Sequence, residues 1–98
     1  MVIHQISVFL ENRAGTLAEI TGILSAQHID LRAIHIAETA DYGVLRLIAD
    51  DSQRASAVLL EHGFILSMTP VAAIAVPDEP GGLSRLLQVL SEQHVDIE

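Results

Sequence analysis

Two glycine-led stretches hold the residues of this chain best suited to chemistry. Asn12-Arg-Ala-Gly-Thr-Leu17 and Asp78-Glu-Pro-Gly-Gly-Leu83 each lead into what reads as a helix. At a helix start the backbone amides of Gly15, Thr16 and Leu17 lack intrahelical acceptors, and the helix dipole adds positive potential. A carboxylate is the kind of anion such a corner favours. Gly15 and Gly81 carry no Cβ, so backbone can approach a small ligand closely. Asp30, opening the following strand, can accept charge-assisted hydrogen bonds from an ammonium group. Together these groups would read the two ends of a zwitterion. Each also has a plainer use: a glycine before a helix serves as a turn, and an aspartate at a strand start as a solvated boundary residue.

Other chemistries find less support. His4 and His35 are candidates for neighbours on adjacent strands, but no third ligand has suitable spacing, and a metal site needs three or four. His28 and His94 stand where two helices should end, and capping of the helix dipole explains them. The chain has no cysteine, which removes disulfides, thiolate catalysis and Cys-x-x-Cys metal sites, and fits a reducing cytoplasm. There is no recognisable Ser/His/Asp motif, no phosphate-binding glycine loop and no carboxylate pair of defined spacing. No catalytic residue, metal or cofactor is therefore assigned.

The elements that must position these residues follow from the hydrophobic pattern. Ninety-eight residues, half of them hydrophobic, suit one packed domain. Val2 to Leu10 alternates Ile6, Val8 and Leu10 against Gln5 and Ser7, as a strand does. Thr16-Leu-Ala-Glu19 fits a capping box, and Leu17, Ile20, Ile23 and Leu24 follow at helical spacing to about His28. Asp30 to Glu38 and Val44 to Ala49 read as strands joined by a turn at Thr39-Ala-Asp-Tyr-Gly43. Asp50-Asp-Ser52 can cap a second helix ending at Gly63, and Phe64 to Thr69 forms a fourth strand. The order β-α-β-β-α-β predicts an α+β, ferredoxin-like fold, with two helices on one face of a four-stranded antiparallel sheet.

After Pro70 the pattern begins again. Gly15/Gly81, Leu17/Leu83, Leu24/Leu90, Ser25/Ser91, Gln27/Gln93, His28/His94 and Asp30/Asp96 match, each pair 66 positions apart. Self-similarity at one offset marks a duplicated unit. The expected division is a complete unit at 1–70, then a partial copy at 71–98 containing a strand at Val71 to Val76 and a helix carrying Leu83, Leu86, Leu87 and Leu90. A lone strand and helix cannot bury enough area to stand alone, so they must pack on the first unit or on another chain.

Thirteen acidic residues against five arginines give a formal charge of −8, and only three residues are aromatic. Phosphate backbones repel such a surface and bases find few rings to stack on, which argues against nucleic acid as a partner. No apolar run approaches the roughly 20 residues of a membrane span. The N-terminus lacks the basic start and apolar stretch of a signal peptide.

Leu10-Glu-Asn-Arg-Ala-Gly-Thr-Leu17, Gln27-His-Ile-Asp-Leu31 and Val76-Pro-Asp-Glu-Pro-Gly-Gly-Leu83 resemble the corresponding segments of ACT domains, small amino-acid-binding regulatory modules. Asp41-Tyr-Gly-Val-Leu-Arg-Leu-Ile-Ala-Asp50 is similar to the small bacterial proteins built of two ACT domains and no enzyme. The resemblance implies a ligand held by the loop between first strand and first helix, at an interface between two domains. Carried over by position, its ligand-binding residues are Leu10, Asn12, Arg13, Ala14, Gly15, Thr16, Leu17 and Asp30. Asp78, Gly81, Gly82 and Asp96 follow in the second copy. Three residues depart from the family pattern: Ala14 stands where proline is common, and Asp30 and Asp96 where asparagine is common.

The resemblance implies a non-catalytic cytoplasmic regulator that binds a free amino acid, assembles as a homodimer or higher homo-oligomer, and acts on its own assembly or on an enzyme of amino-acid metabolism. Leu10, Ile34 and Ile36 favour an apolar ligand. Two other classes compete. One is a purely structural dimerisation module without a ligand. The other is an acylphosphatase-like enzyme, since acylphosphatases share this fold and use an arginine in the first loop, as Arg13 would be. They also need an asparagine on a strand, and the chain has none besides Asn12.

Overall fold

The computed structural model describes residues 1–11, 13–38 and 41–97, with Glu38 described in its backbone alone. The expected order holds: β1 (Val2–Glu11), α1 (Thr16–Ala26), β2 (Leu31–Glu38), β3 (Tyr42–Ala49), α2 (Ser52–Glu61), β4 (Ile65–Ala72) and α3 (Gly82–Glu92). The four strands form one antiparallel sheet in the order β2-β3-β1-β4.

The period-two pattern of β1 sets the register. Ile6 lies opposite Leu47 on β3 and Met68 on β4, and Val8 lies opposite Leu45 and Leu66. Side chains opposite one another share a face, and this one is covered by the helices. Ile6, Val8, Leu45 and Leu47 are buried with Ile20 and Leu24 of α1 and Ala55 and Leu59 of α2. Each large aliphatic side chain removed from water this way contributes about 1.5–3 kcal/mol. On the opposite face Phe9 lies opposite Ile65, and both are exposed.

The helix ends show which local signals held. Asp51 caps α2, its side chain accepting from the Arg54 amide at 3.1 Å. The expected capping box at Thr16 does not form. Gly15 is the N-cap residue, so Thr16 lies inside the helix, and its hydroxyl donates backward to the Arg13 carbonyl at 3.1 Å. At the far end His28 has φ 57, its amide donating to Ser25 O and that of Ile29 to Leu24 O, both at 3.0 Å. This is a Schellman stop, with Ile29 and Leu24 buried together beneath it. His94 has the same φ, with matching bonds from His94 to Ser91 O and from Val95 to Leu90 O. Both histidines thus close their helices through left-handed backbone rather than through ring charge. The suggested His4 and His35 neighbourhood is absent too: β3 lies between their strands, with His4 opposite Pro70 and His35 opposite Arg46.

The restart after Pro70 needs correction. Pro70 sits inside β4, which continues to Ala72 opposite Val2. An edge strand tolerates proline because one side of its backbone has no ladder to serve. The strand expected over 71–76 does not form as a separate element: Val71 and Ala72 finish β4, and residues 73–77 carry no regular structure. They have no neighbouring strand to complete a ladder, apart from the Ala73 amide donating to Met1 O at 2.8 Å. α3 forms as expected, but Leu83, Leu87 and Val89 remain exposed.

Candidate functional site

The two glycine corners have the same backbone. Gly15 (φ 85, ψ −8) and Gly81 (φ 88, ψ −9) are left-handed N-cap residues, a conformation glycine adopts without a Cβ penalty. Arg13 N donates to Glu11 O and Glu79 N to Pro77 O, each at 2.9 Å. Glu19 N donates to Gly15 O at 2.9 Å, and Arg85 N to Gly81 O at 3.0 Å. Among the described residues no hydrogen bond engages the amides of Leu17 and Ala18, or of their counterparts Leu83 and Ser84. These are the donors that an anion at the helix start would use.

The charge at the two corners is reversed. Arg13 pairs with Glu19 at 3.6 Å in the first, and Glu79 pairs with Arg85 at 2.6 Å in the second. Positions 13 and 79 correspond under the repeat, as do 19 and 85, so the ion pair is kept while its polarity is exchanged. The first loop carries a cation beside the free amides, and the second carries an acid there. Both pairs are solvent-exposed, so neither adds much stability.

Around the first corner lie two small cavities. One, of about 100 Å³, is lined by Leu10, Glu11, Arg13, Thr16, Leu17, Ile36 and Gly43. The other, of about 300 Å³, shares Leu10, Glu11, Arg13 and Thr16 and extends to His62, Phe64 and Ile65. Leu10, Arg13, Thr16 and Leu17 therefore meet at one place, beside Gly15. Ala14 is exposed in the same turn. Thr16 is 5% exposed and its hydroxyl is already engaged with Arg13 O, so it holds the loop rather than facing a ligand. Asn12 lies outside the described residues. Ile36, one of the residues expected to favour an apolar ligand, lines the cavity, and Gly43 joins it although sequence reasoning gave it no site role; a pairing register is needed to bring β2 and β3 alongside the loop.

Asp30 is not brought to this corner. It follows the C-terminal end of α1, an 11-residue helix, and the rise of about 1.5 Å per residue sets it roughly 16 Å from Gly15. Its amide instead donates to Asp50 Oδ1 at 3.2 Å, and its carbonyl accepts from the Asp50 amide at 3.0 Å. Asp96 follows α3 in the same way, remote from Gly81. Asp78, Gly81 and Gly82 stay together in the second corner. No group of three potential metal ligands occurs among the described residues.

Gly82, the counterpart of Thr16, is confined. A Cβ there would lie 2.5 Å from the Pro77 carbonyl oxygen and 3.3 Å from Val76 Cγ1. Gly82→Ala is expected to force the Pro77–Gly82 corner open, with an overpacking cost of roughly 1–3 kcal/mol. Amide exchange should quicken at Arg85 and along α3 while β1 and β3 keep their protection. Unchanged exchange in α3 would show that the corner yields freely.

A search of curated protein sequences returned no match. Among solved structures, protein BT0572 from Bacteroides thetaiotaomicron is 43% identical, with a TM-score of 0.96; the match covers 100% of this chain and 68% of that one. The ligand-free regulatory subunit of aspartate kinase from Thermus thermophilus is 14% identical with a TM-score of 0.71, covering 100% of this chain and 78% of that one. A putative glycine cleavage system transcriptional repressor is 15% identical with a TM-score of 0.58, covering 96% and 68%. The last two likenesses concern the fold. None of the helices is long and apolar enough to cross a membrane, among the described residues. The glycine corners recur at one offset on a βαββαβ sheet, residues 1–98 match the family model for the ACT domain pair throughout, and the chain belongs to that family.

Proposed function

We propose that this chain is a non-catalytic cytoplasmic regulatory module that binds a free amino acid at the Glu11–Leu17 corner, where two ACT units meet. ACT domains are typically regulatory ligand-binding domains. Residues 1–70 serve as one complete unit and 71–98 open a second, with β4 running across their boundary. The observation that carries the proposal is the left-handed Gly15 corner, with the Leu17 and Ala18 amides unengaged beside Arg13 and a cavity walled by Leu10, Leu17 and Ile36. The amides and Arg13 take the ligand carboxylate. The aliphatic walls favour a small apolar side chain. The second corner has acidic Asp78 and Glu79 in place of Asn12 and Arg13, so it takes a carboxylate less readily. Asp30 and Asp96 leave the assignment, because each lies at the far end of its helix.

A ligand that stabilises only the paired arrangement shifts the population toward it, biasing assembly of a homodimer or larger homo-oligomer, or an enzyme of amino-acid metabolism to which it binds. The test is a thermal-shift screen of the twenty amino acids. A binder present at a hundredfold excess over its dissociation constant should add roughly 2.7 kcal/mol. A flat response to all twenty would leave a structural pairing module, the reading that the exposed Leu83, Leu87 and Val89 of α3 also suit.

A further inference from the structure

The face of the sheet turned away from α1 and α2 is uncovered, and the pairing registers arrange it in rows. Phe9 and Ile65 stand opposite each other, with Val44 on the far side of Phe9. Period two sets the next row two residues along, where Ser7 lies between Arg46 and Ser67, with His35 beyond Arg46. A further step brings Ala33 opposite Ile48 and Gln5 opposite Thr69, and the last brings Ile3 opposite Val71. The face is therefore apolar at both ends, with a cationic band between them. Phe9 and Ile65 are 53% and 70% exposed.

The charges on this face are unlike those of the rest of the chain. Of thirteen acidic residues, none stands in these rows. Arg46 has no hydrogen-bond or ion-pair partner among the described residues, whereas Arg13, Arg54 and Arg85 are each engaged. Covering this arginine is costly unless the cover brings an acceptor, since a buried charge needs a partner. A second copy stacked row on row brings no acid to it, because the same rows hold none. Anionic membranes and nucleic acid supply acceptors, but a formal charge of −8 repels both. A protein that joins apolar side chains to a carboxylate meets every condition.

We propose that this sheet face docks an acidic amphipathic helix of another protein, with Arg46 taking its carboxylate in a bidentate, charge-assisted pair. A helix laid along β1 and β3 completes a layer as helices on a sheet do. Rows two residues apart are separated by about 7 Å along a strand, and a helix rises about 1.5 Å per residue. Each row thus corresponds to about four or five helical residues, and the whole face to about 14. The fitting helix sets apolar side chains over Phe9 and Ile65 and a carboxylate about one turn further on. Apolar side chains follow again over Ile48, and over Ile3 and Val71. The proposal extends the regulatory reading by naming the surface that a partner protein uses. It is tested without any amino acid, so its failure and that of the amino-acid reading are distinguishable.

The probe is a fluorescein-labelled synthetic helix of about 16 residues, with leucines on one face, glutamate at the position facing Arg46 and a neutral outer face. A twin carries lysine in place of the glutamate. Fluorescence anisotropy should show saturable binding of the glutamate probe, and binding roughly tenfold weaker or worse for its twin. The overall charge of −8 favours the lysine probe, so the opposite order reports on Arg46 itself. Arg46→Glu should exchange the two preferences, and Arg46→Gln, a milder change at the same exposed position, should remove the advantage of the glutamate probe. Circular dichroism checks that each variant is folded. Amide resonances of Ser7, Arg46 and Ser67 should move on binding while those of α1 and α2 stay. No binding of the glutamate probe, equal binding of the two, an unchanged order in both variants, or shifts confined to α3 would each overturn the proposal. Sedimentation showing a parent dimer that Ser7→Arg disperses would overturn it too, by giving the face to a second copy.

Discussion

Leu47→Ala should lower the unfolding free energy by about 2–5 kcal/mol, the range for truncating a large aliphatic side chain in a close-packed core. Leu47 is wholly buried on β3, an interior strand, opposite Ile6 on one side and Ile34 on the other. Removing three carbons there leaves a void between sheet and helices that neighbouring strands cannot collapse to fill. Domains of this size are stable by only about 5–15 kcal/mol, so a large share of the total is at stake. Urea denaturation should show a much lower midpoint with little change in slope. A loss below about 1 kcal/mol would mean that the sheet and helices do not close over Leu47 as described. Ile36→Ala is the control on β2, and its half-exposed position should make it far milder.

The second large effect concerns the ligand. Arg13→Glu combined with Glu19→Arg gives the first corner the polarity that the second already has through Glu79 and Arg85. The ion pair survives, and an exposed pair is worth at most about 1 kcal/mol, so the midpoint without ligand should hardly move. The gain of roughly 2.7 kcal/mol from an amino acid at a hundredfold excess should disappear, because a carboxylate now meets an acid beside the Leu17 amide. Thermal shift with and without the best binder from the screen measures both quantities. Retention of the full gain would remove Arg13 from the site. Gly15→Val is a less clean probe of the same corner. A Cβ at Gly15 meets nothing within 4 Å, but φ 85 would hold a β-branched residue in left-handed backbone. That strain costs roughly 1–2 kcal/mol and mixes stability with binding.

Much of the fold was legible because it rests on local rules. The alternation of Ile6 and Val8, the spacing of Ile20 and Leu24, the Asp51 cap and the stop at Gly63 each act within a few residues, and together they specify βαββαβ. The internal repeat was legible as well, and the structure extends it to details no alignment of letters conveys: equal glycine dihedrals, equal left-handed histidines, and an ion pair with its charges exchanged. One error fell where the preceding turn decides the outcome, and two where the sheet does. Thr16 reads as a cap from its spacing to Glu19, but the Gly15 turn places it one residue inside the helix. Pro70 reads as a terminator, but at a sheet edge its missing amide costs no ladder bond, so β4 runs through it. Val71 to Val76 has strand composition, yet residues 73–77 lack a neighbouring strand to pair with.

The candidate site divides the same way. Residue types and spacing determined that a glycine corner opens a helix and leaves amides free for an anion, since helix starts follow from local backbone geometry. Only the tertiary structure decided what stands beside that corner. Strand pairing brings Ile36 and Gly43 to Arg13 and Leu17 across the chain, while the rigid length of α1 carries Asp30 to the opposite end. Proximity in sequence is lost along a helix and regained across a sheet, because a helix fixes its ends apart and hydrogen-bonded strands fix distant residues together.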